Sequence, residues 1–412
     1  MSSIRPSGAN VAAYRPRRHI ASVVSIAGLI LVLALAACGS PPKPASAVSS
    51  PARTSALARP VATATASPTA APAAPTGFSP LALTFVSPTD GWVIGTGACA
   101  SCIWIYHTTN GGASWSQSGA PPASYPLGGC YELPTPCVDT LLFATPDRGF
   151  AFGANWGDAF MTADGGNTWH ALPVTDITAM ALAGNDALRL RGADGGCTTG
   201  ACQLERSTDG GVIWLAAGEP LLTPEGLGGD VLLQDDGHAY AVGYGNPAGG
   251  GPETAELYRS SNFGLTWTHE DDPCSSRSGV RPIALRVASS ADGVVAIDCL
   301  ANRAGSSQNF VIVSTDGGAL FHTQRSAPSS FGAFAVGSAS VLAVETPAGL
   351  SVSHNGGETW AATYSCPAEN TANTGISFVG FETPSVAHLI CGDAVARSTD
   401  GGLSWTTYRF AS

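Results

Sequence analysis

The sequence predicts an all-β fold, a seven-bladed β-propeller of four-stranded antiparallel blades preceded by a signal peptide and a disordered tether. Three observations carry this prediction. One turn motif recurs seven times, short strand-like runs fill the intervals, and a segment of different composition precedes the first copy.

That leading segment reads as an address. Residues 1–19 hold Arg5, Arg15, Arg17 and Arg18 and no acid, and residues 20–37 are an uncharged apolar run. Leu35-Ala36-Ala37-Cys38 closes it. A basic region, an apolar region and small residues before a cleavage point define a secretory signal. The Leu-Ala-Ala-Cys ending resembles the bacterial lipobox. The resemblance implies cleavage before Cys38 and a diacylglyceryl anchor on its sulfur. An uncleaved membrane anchor is the alternative, because so long an apolar run nearly spans a bilayer. Arg17-Arg18 weakly resembles a twin-arginine signal. Under every reading the rest of the chain leaves the cytoplasm, and the expected location is extracytoplasmic, lipid-anchored to the bacterial cell membrane. Residues 1–37 are thus the expected signal peptide.

Residues 38–77 begin with the lipidated Cys38 and continue in Pro, Ala, Ser and Thr. Such a stretch cannot bury enough apolar surface to fold. As a coil it reaches roughly 35 Å, and as polyproline II about 120 Å. It is a tether.

The region 78–412 repeats itself, and the repeat outranks local signals. The first copy is Thr108-x-Asn110-Gly111-Gly112-x-Ser114-Trp115. The others centre on Asp164, Asp209, Asn262, Asp316, Asn355 and Asp400, and end at Trp169, Trp214, Trp267, Phe321, Trp360 and Trp405. Intervals of 39 to 54 residues between those aromatics leave room for four short strands each. The residue types follow from the turn. Asp or Asn accepts backbone N–H groups in a tight hairpin. Gly supplies positive φ. A Ser or Thr hydroxyl closes the turn from the preceding strand, and Trp covers it with an apolar face. These acids are therefore read as structural, rather than as calcium ligands or catalytic carboxylates. Two copies lack the hydroxyl before the aromatic, at Ile213 and at Leu320-Phe321.

Between copies the pattern is strand-like. The first unit runs Leu81 to Val86, a turn over 87–91, Trp92 to Ile94, a loop, Ile103 to Tyr106, the motif, then Trp115. Leu141 to Phe143 with Gly149 to Phe152, and Val231 to Leu233 with Ala239 to Val242, open later units in the same way. Radial repetition of four-stranded sheets gives a propeller.

The motifs resemble the Asp-box, or BNR, repeat. The opening Asp90-Gly91-Trp92-Val93-Ile94-Gly95 followed by a copy resembles the photosystem II assembly-factor type of seven-bladed propeller. The resemblance covers roughly 78–410 and implies the fold. For function it implies little, because sialidases, xyloglucanases, sortilins and assembly factors share the turn.

Eleven cysteines less Cys38 leave ten, and an exported chain pairs them by default. Nearest-neighbour pairing gives Cys99–Cys102, Cys130–Cys137, Cys197–Cys202, Cys274–Cys299 and Cys366–Cys391. Crossed pairing among the first four stays open. The last two pairs share a spacing, and each is expected to join the loop before strand A to the end of strand B. A redox or zinc role for Cys99-x-x-Cys102 is the lesser alternative. In a propeller the D-to-A and B-to-C loops share one face, and the A-to-B turns share the other with the motif. All ten cysteines fall in or beside the first set, so ligand binding is expected on that stapled face. Tyr131, Trp156, Asp158 and Tyr244 are the ligand-binding candidates there, with Trp156 foremost.

Thirty acids against twelve arginines lie beyond residue 78, so phosphate backbones are repelled and nucleic acid is excluded as a partner. A single Lys and few Glu exclude a long-helix protein. No zinc-protease helix, nucleophile elbow or P-loop is present. Sialidase chemistry needs an Arg-Ile-Pro start, and Arg281-Pro282-Ile283 has the wrong order. A glycosidase needs two carboxylates at a set separation, for which Asp158, Glu270, Asp271, Asp272 and Glu369 are candidates. Arg206, Arg259 and Arg397 each precede a motif Ser and either form a basic arc or cover their own turns. The expectation is a monomeric binding or scaffold module without catalysis, cofactor or metal. Its expected ligand is a protein or a glycan. A glycan-active hydrolase and an assembly factor for a membrane complex are the alternatives.

Overall fold

The computed structural model describes residues 77–410 except 98, 126–129, 131–135, 154–156, 176, 193–202, 219–225, 246–253, 271–273, 275–280, 291, 304–305, 322–324, 329–331 and 367–374. The chain divides into two units at residues 67/68, and the described residues belong to the second. The expected lipidation site Cys38 lies outside them.

Seven four-stranded antiparallel sheets account for the regular structure, each built from four consecutive strands, A to D. The A strands are Ser79–Phe85, Thr140–Phe143, Ile177–Ala183, Gly226–Leu233, Arg281–Ser289, Phe334–Val336 and Ile376–Phe381. Successive A strands touch one another, so they surround the propeller axis. The B strands are the apolar heart of each blade. Gly91 to Gly95 in blade 1 and Ala387 to Cys391 in blade 7 are buried without alternation. The cause is geometric: a blade is covered on both faces by its neighbours, so a middle strand has no solvent side. Core clusters accordingly span blade pairs, as where Tyr240 and Val242 of blade 4 meet Val287, Ile297 and Phe310 of blade 5. The D strands carry the solvent edge and are short, two residues in blades 1 and 3 (Ser116–Gln117 and Leu215–Ala216), which limits edge-to-edge pairing.

The ring closes without exchange of a strand. Each sheet is sequence-continuous, so blades 7 and 1 are joined by side chains. Phe78, Tyr106, Trp115, Ile390, Val395 and Phe410 form one buried cluster, with the Phe78 and Phe410 rings 4.6 Å apart. Burying a ring of this size stabilises by about 2–3 kcal/mol.

One expected loop is absent. Blade 1 was expected to break between Ile94 and Ile103. Instead strand B runs Gly91–Gly97 and strand C runs Cys99–Thr108, so Cys99 and Cys102 sit in a strand. Four of the five nearest-neighbour disulfides form: Cys99–Cys102, Cys130–Cys137, Cys274–Cys299 and Cys366–Cys391. Cys197 and Cys202 lie outside the described residues. The last two bonds tie the approach to strand A to strand B of the same blade, as their shared spacing predicts.

Candidate functional site

The seven repeat turns form one face. In each, the Ser or Thr hydroxyl donates to the Asp or Asn side-chain oxygen and accepts the N–H of the second glycine, as Thr162 does with Asp164 and Gly166. The same carboxylate or amide oxygen then accepts the N–H four residues on, including that of Ile213 and Leu320. Loss of the hydroxyl in blades 3 and 5 therefore removes one bond and keeps the turn, leaving exposed aliphatics at 62% and 66%. Thr168 donates both its hydroxyl and its N–H to Asp164 and holds that carboxyl at about 2, and Ser404 does the same for Asp400. These carboxylates serve the turn.

A second device joins each turn to the blade before it. The second residue of strand B, or its equivalent, reaches the next blade's glycine pair. Trp92 Nε1 donates to the Gly165 carbonyl at 3.1 Å, and His388 Nε2 lies 3.3 Å from that of Gly111. A Cβ on Gly211, Gly264 or Gly318 would meet Phe150, Leu188 or Tyr240 within 2.7 Å. Glycine is required there for close approach as well as for positive φ. In blades 5 and 6 this position holds only Ala296 and Ala343.

Grooves open between adjacent blades, among them two beside blade 5. One of about 470 Å³ lies between the A–B turns of blades 4 and 5, lined by Leu233, Gln234, Asp235, Asp236, Ser289, Ser290, Asp292 and Gly293. Another of about 510 Å³ lies between blades 5 and 6, reaching Ser340, Asn355 and Arg325. Asp292 lines both, so the two flank blade 5 on the turn face.

The Gln234 side chain is 8% exposed, and neither its Oε1 nor its Nε2 has a partner among the described residues. The repeat supplies an internal control. Gln234 N–H donates to the His238 carbonyl as Glu382 N–H donates to that of Val386. In blade 7 Glu382 is met by His388 Nδ1 at 2.9 Å. In blade 4 the residue matching His388 is Tyr240, whose buried hydroxyl is also without a partner among the described residues. Burial pushes that hydroxyl's pKa well up, so it stays protonated. Beside them, burial pushes the Asp236 carboxyl up, but the His238 backbone N–H and ring outweigh it and hold the group below the usual range. Asp292 accepts the Ser290 hydroxyl. Across the same turn Phe263 adopts φ 56°, where the other repeat turns have glycine. Its ring packs on Gly237, and its N–H donates to the Gly237 carbonyl at 2.8 Å.

Of the expected ligand-binding residues, Asp158 and Tyr244 lie among those described, in different blades. Tyr131 and Trp156 lie outside the described residues. Asp158 is half-buried at the start of strand C of blade 2 (Asp158–Thr162). Gly153 and Gly157 pack together beside the Cys130–Cys137 staple. Tyr244 stands two blades away, in strand B of blade 4 (Ala239–Gly245). Of the glycosidase candidates, Glu270 is bound by Arg259 at 3.0 Å, and Asp271, Asp272 and Glu369 lie outside the described residues. The arginines form no arc. Arg206 meets Asp186, Arg259 meets Glu270, and Arg397 donates to the Pro88 carbonyl. The groove residues carried a sequence signal that motif reading passed over. Gln234-Asp235-Asp236-Gly237 replaces the Pro-containing turn of blades 1, 2 and 7.

No family model matches the chain, and no curated protein matches it in sequence. Solved structures do. It is similar to YCF48 bound to D1 peptide, at 17% identity over 82% of this chain and 95% of that one, with a TM-score of 0.51. It is similar to an ancestral GH74 enzyme, at 14% identity over 82% of this chain and 47% of that one, with a TM-score of 0.54. The chain thus spans about half the length of that enzyme. It is similar to a PL25 ulvan lyase, at 12% identity over 82% of this chain and 95% of that one, with a TM-score of 0.50. At these identities the likeness shows the β-propeller fold. It also corrects the expectation of a chain without catalysis: GH74 hydrolases and a polysaccharide lyase share this architecture, so the fold gives no ground for that exclusion.

Proposed function

We propose that this chain is an exported propeller, held to the membrane by a lipid on Cys38, that binds a protein or glycan ligand in the turn-face groove flanking blade 5. On this reading residues 1–37 are the signal peptide and 38–77 the tether. Residues 78–412 form a monomeric propeller of Asp-box repeats. Peptide and polysaccharide are the ligand classes named for similar propellers, and they come across as classes only.

One observation carries the binding reading: the buried Gln234 amide, unmet on both atoms at the floor of a groove. An unsatisfied buried polar group costs about 1–3 kcal/mol. Blade 7 shows that the same position can be satisfied within the fold. A group left unmet where the repeat offers a solution fits a group completed by a ligand.

The test is a screen of the full chain, in detergent micelles, on peptide and glycan arrays beside Gln234→Leu and Ser289→Trp, the latter filling the groove. A ligand lost from both variants is the expected result. A ligand kept by both but released on disulfide reduction would return the site to the stapled face. Anchoring is tested by mass spectrometry of membrane-extracted chain. A diacylglyceryl group on an N-terminal Cys38 is expected, and an intact Met1 would overturn it.

A further inference from the structure

We infer that the groove takes an extended cationic peptide, one carrying Lys or Arg side chains, with Gln234 pairing to its backbone; this rests on the binding reading above. The charge at the groove has one sign. Asp235, Asp236 and Asp292 line it, and Asp236 is held ionised by His238. Arg325, at the far end beyond blade 5, is engaged by Glu358 at 2.7 Å. The surrounding region, with thirty acids against twelve arginines, adds a field that draws cations from a distance. Among the described residues no group of three His, Cys, Asp or Glu is placed to hold a metal ion.

Gln234 fixes the second half of the chemistry. A primary amide carries a donor and an acceptor side by side, the same complement as a peptide group, so the two pair reciprocally. Gln234 lines the groove, with both amide atoms lacking a partner among the described residues. The lining between blades 4 and 5 is Leu, Gln, Asp, Ser and Gly, with no aromatic ring on which a sugar face would stack. Two adjoining grooves meeting at Asp292 suit an extended ligand crossing blade 5.

The experiment measures fluorescence anisotropy on the full chain in uncharged micelles. The probes are an acetylated, amidated peptide of alternating lysine and glycine, its glutamate counterpart, and an N-acetylglucosamine oligomer. Binding of the lysine peptide alone is expected. Its affinity falls about tenfold in Gln234→Leu and several-fold in Asp235→Asn and Asp292→Asn. It weakens as salt rises from about 50 to about 500 mM. Asp147→Asn, on the blade 2 turn, leaves it unchanged. Thermal melts confirm that each variant folds. Lysine-peptide binding that survives all three groove variants would overturn the inference as mere surface charge. Oligosaccharide binding lost in Gln234→Leu, without peptide binding, would overturn it and leave the binding reading standing. No groove-dependent binding of any probe would overturn both.

Discussion

The seam between blades 7 and 1 and the seam between blades 4 and 5 are built from the same repeat positions and differ at one pair of them. At the first, Glu382 meets His388, and His388 stacks on Phe85 at 3.7 Å and reaches the Gly111 carbonyl. Arg397 crosses to Pro88 and Phe410 packs in the aromatic cluster, while Trp115 Nε1 and Arg397 Nε have no partner among the described residues and a groove of about 320 Å³ opens beside Gly111 and Arg397. At the second, Gln234 and Tyr240 occupy the positions of Glu382 and His388 and leave three buried polar atoms unmet beside an open groove. Both seams thus keep buried polar atoms without partners among the described residues, and they differ in whether the Glu382 position is met within the blade.

The largest effect should come from breaking the closed seam. Phe410→Ala is expected to lose about 3–5 kcal/mol in urea unfolding, because it empties the centre of an aromatic cluster. His388→Ala should cost about 3–5 kcal/mol, since it strands Glu382 in the interior. Its positional twin Tyr240→Phe should stay within about 0.5 kcal/mol of the parent, having no hydrogen bond to lose among the described residues. Equal losses from the pair would end the comparison. Replacing Cys274 and Cys299 together by Ala should cost about 3 kcal/mol by freeing the unfolded chain, and it falls on the blade next to the open seam. Gln234→Leu should be neutral or stabilising by up to about 1 kcal/mol while weakening binding about tenfold, the opposite signs expected of a functional group kept at a structural cost.

The smallest effect is in the repeat turns, common to both seams. Asp164 and Asp400 are held at about 2 against an ordinary 3.8, chiefly by the Thr168 and Ser404 hydroxyls. A depressed carboxyl contributes stability that is present above its unfolded value and is lost as pH falls through its folded value. Stability should therefore decline between about pH 4 and pH 2. Asp164→Asn should flatten that limb in an acid titration followed by Trp fluorescence. Asn is native in three of the seven turns, so the turn itself should persist.

The seven turns were legible because each is a local circuit of about eight residues whose chemistry admits few alternatives. Four of the five disulfides followed from spacing for the same local reason. The site was not legible. Whether Gln234 is satisfied depends on Tyr240 within its blade and on how blade 5 packs beside it, and neither is encoded in a short window. The Cys99 region misled for a related cause. Cys99-Ala100-Ser101 has the small residues of a loop, yet pairing with strand B draws it into the sheet. The position that faces the next blade's glycines, Trp92 through to Ala343, is apolar in most blades. It becomes informative only when the register aligns it against the neighbouring glycines.

Closure through side chains has a genetic corollary. Each sheet is encoded by one uninterrupted stretch, so duplication or deletion of a unit copies or removes a complete sheet and leaves no half-paired strand behind. What such an event must preserve is the pairing of first and last units, Phe78 with Phe410 and Gly111 with His388. The interior units are exchangeable modules between two fixed ends. Recombination among them supplies new seams, and with them new grooves, at no risk to the ring.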